Sequence, residues 1–155
     1  MNPYQQHLGD LDPIEVIAAT ADRLQAAAER LGQKRVNLSP APGKWSPREI
    51  LCHLADTEIT FAFRLRQAMA EPYHVVQPYD QDLWAKRYNA YDASTAIGVF
   101  RAVRDWNRTF ISGVSQEEFG KKLTHPERGE MTFRVLVETI AGHDLNHLKQ
   151  LDSIV

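Results

Sequence analysis

Residues 132–154 read TFRVLVETIAGHDLNHLKQLDSI. Phe133, Leu136, Ile140, Leu151 and Ile154 fall on one stripe when each residue is advanced by about 100° around a helix. His143 and His147 are one turn apart and lie inside the stripe of Leu136, Ile140 and Ile154, so both point into whatever this helix packs against. An amphipathic helix with two imidazoles on its buried face needs partners of similar length, and the preceding chain supplies three.

The first of these is announced by Asp12-Pro13-Ile14-Glu15, in which Asp12 caps the free amides and Pro13 fits the first helical position. Ile14, Ile17, Ala18, Ala21, Leu24, Ala28 and Leu31 follow at helical spacing, and Gly32 ends the run. After a loop over 33–45, Ser46-Pro47-Arg48-Glu49 repeats the start signal and opens a second helix to about Ala70, with Ile50, Leu54, Phe61, Leu65 and Ala68 as its stripe. Asp92 or Ser94 starts a third, striped by Ala96, Phe100, Val103, Phe110 and Val114. Residues 124–129 read as a turn before the fourth helix. No segment alternates long enough to make a strand, so the expected fold is all-α: a four-helix bundle in a single domain spanning 1–155.

One connection is out of pattern. Residues 71–91 make a link of about 20 residues between the second and third helices, where bundle connections usually take roughly two to eight. It carries Tyr73, Tyr79, Trp84, Tyr88 and Tyr91, which argues for order and for a lid or pocket wall. Tyr79, Asp80 and Trp84 are candidates for lining a substrate entrance, with core anchoring as the alternative for Trp84.

The 18 basic and 20 acidic residues give a net charge of −2 and a pI near 6.3, a poor match to a nonspecific nucleic-acid binder. No apolar run approaches the roughly 18 residues of a membrane span, and the first residues lack a signal-peptide pattern. The single cysteine, Cys52, excludes an internal disulfide and suits a reducing compartment. The expectation is a cytoplasmic protein with neither nucleic acid nor membrane as partner.

His53 sits on the margin of the second helix's stripe, one position before Leu54. Together with His143 and His147 it can complete a three-nitrogen face for one divalent ion. The bland alternative is a set of hydrogen-bonded core histidines. Stacking two imidazoles in one apolar stripe without a metal, however, leaves donors or acceptors unsatisfied at about 1–3 kcal/mol each. Cys52 lies about 100° around the helix from His53 and should face elsewhere. Surface positions are expected for His7, His74 and His125, although His125, just ahead of the helix that carries His143 and His147, can swing toward the site. Solvated helix charges are the commoner case for Arg64 and Arg66, although either can meet a substrate carboxylate.

These segments, KWSPREILCHLAD at 44–56 and GHDLNHL at 142–148, resemble the DinB-like superfamily, the metal-binding bundles related to bacillithiol and mycothiol transferases. Gln77-Pro78-Tyr79-Asp80 with Trp84, and His125-Pro126-Glu127 with Gly129, are similar to its branch of metal-dependent hydrolases and bacillithiol transferases. The resemblance runs over nearly the whole chain. It implies a divalent ion, zinc or nickel first, on His53, His143 and His147, with the remaining positions open to water or substrate. It also implies a small-molecule substrate and, since related bundles often pair, a homodimer.

Three functions follow as expectations. The leading one is an enzyme whose metal activates a low-molecular-weight thiol for transfer to an electrophile. The second is a hydrolase using water, for which Asp56 and Glu49, each one turn from His53, are the nearest carboxylate bases in sequence; both lie off the stripe centre, so supporting or solvated roles are the alternative and weaken this version. The third is a non-catalytic metal- or ligand-binding module, with a metal-free structural bundle as the limiting case.

Overall fold

The computed structural model describes residues 2–154. In chain order it contains α1 Gln5–Leu8, α2 Pro13–Arg35, α3 Pro47–Ala70, α4 Gln81–Ala85, α5 Ala93–Ser112, β1 Lys122–His125, β2 Gly129–Thr132 and α6 Phe133–Asp152. Helices α2, α3, α5 and α6 are the expected bundle. Helix α3 packs chiefly on α5 and α2 chiefly on α6, with α2–α5 and α3–α6 contacts closing the ring.

The helix starts follow their sequence signals. Asp12 accepts from the Ile14 amide at 2.8 Å, and Asp92 from the Thr95 amide at 2.7 Å. At the head of α3 a full capping box forms: the Ser46 hydroxyl accepts from the Glu49 amide, and the Glu49 carboxylate accepts from the Ser46 amide at 2.7 Å. Gly32 takes φ 68° and ψ 172°, yet the chain resumes one further helical turn to Arg35, so this glycine kinks the helix where a stop was expected.

Three further differences matter for the site. A short helix, α1, precedes the bundle and packs on α6. The turn-rich 124–129 region is a β-hairpin in which Leu123 pairs with Met131 and Lys122 with Thr132. Four-residue strands are too short for alternation to announce them, and here only Leu123, His125 and Met131 turn inward. The long link is ordered and joins that hairpin: Thr124 donates to the His74 carbonyl at 2.9 Å, and Val76 donates to the Thr124 carbonyl at 2.8 Å. The link then forms α4, capped by Asp80, and a 3-10 turn at Tyr88–Ala90, with Tyr88 buried.

The apolar interior divides into two clusters, one around Leu24, Leu51, Phe100 and Leu148, the other around Ile17, Phe61, Phe133 and Ile140. On each long helix a buried polar residue marks the boundary between them: Thr20 on α2, Glu58 on α3, Arg104 on α5, Asp144 on α6. Arg104, 1 % exposed, donates to both Glu58 oxygens at 2.8 and 3.0 Å, to both Asp144 oxygens at 2.6 and 3.1 Å, and to the Ile17 carbonyl at 3.1 Å. Thr20 donates to Asp144 and Asn107 to Glu58, each at 2.8 Å. One guanidinium thus ties all four helices together. Among the described residues no helix is long and apolar enough to cross a membrane.

Candidate metal centre

His53 is presented by α3, His143 and His147 by successive turns of α6. All three are buried at 2, 5 and 6 % exposure. The Nε2 atoms of His53 and His143 lie 3.1 Å apart and those of His143 and His147 3.2 Å apart. One nitrogen from each of the three rings falls within 4.8 Å of the other two. Nitrogens bound to one zinc-like ion at about 2.0–2.1 Å and near-tetrahedral angles are roughly 3.3 Å apart. The triad therefore fits a shared ion.

The electrostatics agree. Burial, with a push from His147, drives the His53 pKa down to about 3, and burial drives His147 down to about 4. Burial and the neighbouring His147, His53 and Arg104 hold His143 well below its ordinary value. Neutral imidazoles are what a metal requires. His147 Nδ1 donates to the Gln150 side-chain oxygen at 3.0 Å, which leaves its Nε2 lone pair facing the other rings. His53 Nδ1 is enclosed without a hydrogen-bond partner, and its ring lies 4.9 Å from that of Trp45.

A cavity of about 160 Å³ opens over His53 and His143. Tyr4 forms one wall, edge-on to the His143 ring at 5.3 Å. Tyr79 forms another; its hydroxyl lies 2.7 Å from the Thr57 hydroxyl, which in turn is 3.5 Å from His53 Nε2. His125, expected at the surface, is 6 % exposed and lines the cavity. Its Nδ1 accepts from the Glu127 amide at 3.2 Å, so its proton sits on Nε2. His74 is also buried, with Nδ1 against Glu71 at 2.7 Å; docking of the link onto β1 encloses it. His7 remains half-buried.

The two carboxylates nearest in sequence to His53 are employed elsewhere. Glu49 is held in the capping box, and Asp56 lies with Cys52, Ile59 and Tyr91 on the α3–α5 side. The carboxylate at the cavity is Glu127, at its exposed mouth. Asp80 is exposed, and its carboxylate caps α4 by accepting from Asp82 and Leu83. Trp84 is 42 % exposed and lies against the Tyr79 ring, 4.7 Å between centroids, so it buttresses the wall and does not anchor a core. Cys52 faces away from the histidines as expected, its thiol pushed up to about 11 by burial. Arg66 points to α5, donating to Asn107 at 2.8 Å, whereas Arg64 faces the cavity.

Sequence reasoning passed over Thr57, Tyr4 and the Arg104 network, whereas His125 had a swing toward the site as its alternative to a surface position. The network and Thr57 had legible signals: Glu58 is spaced four from Leu54 and Arg104 four from Phe100, which puts charges on apolar stripes, and Thr57 lies three after Leu54 and four before Phe61.

Comparison with known proteins places these features in a lineage. The chain is 25 % identical over 125 residues to a protein of Oceanobacillus iheyensis, covering 80 % of this chain and 73 % of that one. A Bacillus cereus protein is 25 % identical over 146 residues, covering 91 and 82 % respectively. Both relatives bear the provisional name of metal-dependent hydrolase. The structure of YfiT from Bacillus subtilis, described in provisional terms as a metal-dependent hydrolase with an unusual four-helix bundle topology, superposes with a TM-score of 0.80. It covers 90 % of this chain and 83 % of YfiT at 19 % identity, a likeness that speaks to the fold. The DinB superfamily model matches residues 17–151, a span that takes in α3 and α5 whole, nearly all of α2 and α6, and the three convergent histidines, and the chain belongs to that superfamily.

Proposed function

We propose that this protein is a metal-dependent enzyme that hydrolyses a small molecule at His53, His143 and His147. The observation that carries the reading is the convergence of three neutral, buried imidazoles beside a cavity that a small molecule can enter. A divalent ion held there, zinc or nickel by the chemistry of three imidazoles, supplies Lewis acidity and lowers the pKa of water. The names of the Oceanobacillus and Bacillus cereus relatives support hydrolysis as the reaction class.

The chain's own groups divide the remaining work. Tyr4 and Phe61 shield the floor of the cavity from bulk water. The Tyr79–Thr57 hydroxyl pair offers a donor and an acceptor beside His53 that can orient a polar substrate group. His125, with its proton on Nε2, can donate to a leaving group, and Glu127 at the mouth is the carboxylate available as a base.

Thiol transfer is the second reading. The displacement of Glu49 and Asp56 from the site favours it, because a thiol with pKa about 8.5 needs less help to ionise than water does.

The test starts from protein purified without a histidine tag. One divalent ion per chain is expected, lost in the His143→Ala, His147→Ala double variant. Full metal retention in that variant refutes the site. Metal-loaded protein is then assayed on an ester and amide panel, and in parallel for conjugation of glutathione, cysteine, coenzyme A, bacillithiol and mycothiol to monochlorobimane. Turnover confined to the thiol arm overturns hydrolysis in favour of the second reading.

A further inference from the structure

Two arginines are buried in this bundle, and they are treated very differently. Arg104 is saturated by two carboxylates and a carbonyl. Arg64 is 9 % exposed, yet among the described residues no carboxylate pairs with it. Its one hydrogen bond runs from Nη2 to the Gln77 carbonyl at 2.8 Å, and its Nε is enclosed with no partner. The guanidinium carbon sits 5.9 Å from the Phe61 ring centre and 5.8 Å from that of Tyr79, which fix the fork in place. Arg64 lines the cavity that opens over His53 and His143, and Arg128 adds a second positive charge there, against the exposed Glu127 at the mouth.

A buried cation without a counter-charge is costly unless a ligand supplies one. A planar guanidinium edge matches a carboxylate, which accepts two parallel N–H bonds. Space limits the rest of the molecule: the cavity volume of about 160 Å³ is close to the roughly 150 Å³ that holds a benzene ring.

We propose that Arg64 anchors the substrate, and that the substrate is a small compound carrying a carboxylate on Arg64 while its reacting group lies over His53 and His143. This rests on the cavity being the reaction site. Arg64 is thereby a specificity-determining residue, separate from the metal-holding triad. Tyr79 serves both ends, its ring against Arg64 and its hydroxyl against Thr57.

The experiment measures binding of benzoate, benzamide and phenyl phosphate to the metal-loaded protein by calorimetry, in the wild type and in Arg64→Met and Arg64→Lys. The wild type should prefer benzoate to benzamide by at least about tenfold, and to phenyl phosphate as well. Arg64→Met should lose about 10- to 100-fold in benzoate affinity, leaving benzamide affinity and metal content unchanged. Arg64→Lys keeps the charge without the fork and should lose several-fold; it carries the comparison if the Met variant does not fold. Equal binding of benzoate and benzamide by the wild type overturns the proposal, as does undiminished benzoate binding in Arg64→Met, which would place the carboxylate on the ion. A preference for phenyl phosphate overturns the carboxylate assignment. The parent reading fails separately: benzoate preference without any ester or amide turnover sinks hydrolysis and leaves the Arg64 subsite standing. Hydrolysis of neutral phenyl acetate without benzoate preference does the reverse.

Discussion

Two glycines inside the long helices should respond unequally to alanine. Gly98 sits on the exposed face of α5, and a Cβ there meets nothing within 4 Å. Removing its backbone freedom should stabilise the fold by about 0.5–1 kcal/mol, the ordinary helix-interior difference between the two residues. Gly142 is buried in α6 beside His143, and a Cβ there would lie 2.6 Å from Tyr4 Cβ, 2.8 Å from the Tyr4 carbonyl oxygen and 3.2 Å from its carbon. Carbon contacts are comfortable at about 3.5–4.0 Å, so the overlap approaches 1 Å. Two of the three atoms are backbone, held by the Tyr4 amide's bond to Asn2 at 2.9 Å and by the turn of α1, so a rotamer change cannot relieve it. Overpacking of this kind costs about 1–3 kcal/mol, which cancels or exceeds the helix-propensity gain. Thermal unfolding should therefore separate Gly98→Ala from Gly142→Ala by roughly 1–3 kcal/mol, or about 2–12 °C for a chain of this size. Because Tyr4 walls the cavity over His143, Gly142→Ala should also disturb ligand binding while Gly98→Ala leaves it alone. Gly142→Ala as stable as Gly98→Ala, with binding intact, would refute the packing of α1 on α6.

Stability of the metal-free protein should fall as pH drops. Burial holds His53 at about 3 and His147 at about 4, both below the unfolded value near 6.5, so the unfolded chain binds protons first. The contribution is complete above about 6.5 and is lost progressively toward 3, at about 1.4 kcal/mol per pH unit for each group over its own window. Asp56 and Asp144, whose carboxyls burial pushes up, pull the other way, so urea midpoints at pH 7.5 and 5.5 are compared with those of His53→Gln, His147→Gln. An equal drop in both proteins would count against buried neutral imidazoles. Arg104→Met strands two buried carboxylates and should cost about 3–5 kcal/mol in urea titration; a loss below about 1 kcal/mol would mean the network is solvated.

The bundle itself is legible in the sequence, because helix spacing and caps are local. Asp12, Ser46, Asp92 and Thr132 each accept from an amide two or three residues on, within reach of sequence alone. The triad was legible in the same way once the stripes were drawn, since His143, His147 and His53 share the phase of residues that must face inward. What tertiary structure alone decided is everything that depends on non-neighbours. Glu49 and Asp56 are each one turn from His53, and helical phase already puts both off the stripe centre; the packed bundle adds what stands opposite, so that Asp56 lies beside Tyr91 on the α3–α5 side and Glu127, far away in sequence, is the carboxylate at the cavity. His125 and His74 look like loop histidines until the hairpin and the long link dock on one another and bury both. Arg64 and Arg66 are two residues and about 200° apart on α3, so helical phase already separates their faces; the packed bundle decides what each meets, Arg66 donating to Asn107 on α5 and Arg64, without a carboxylate partner, facing the cavity over the histidines.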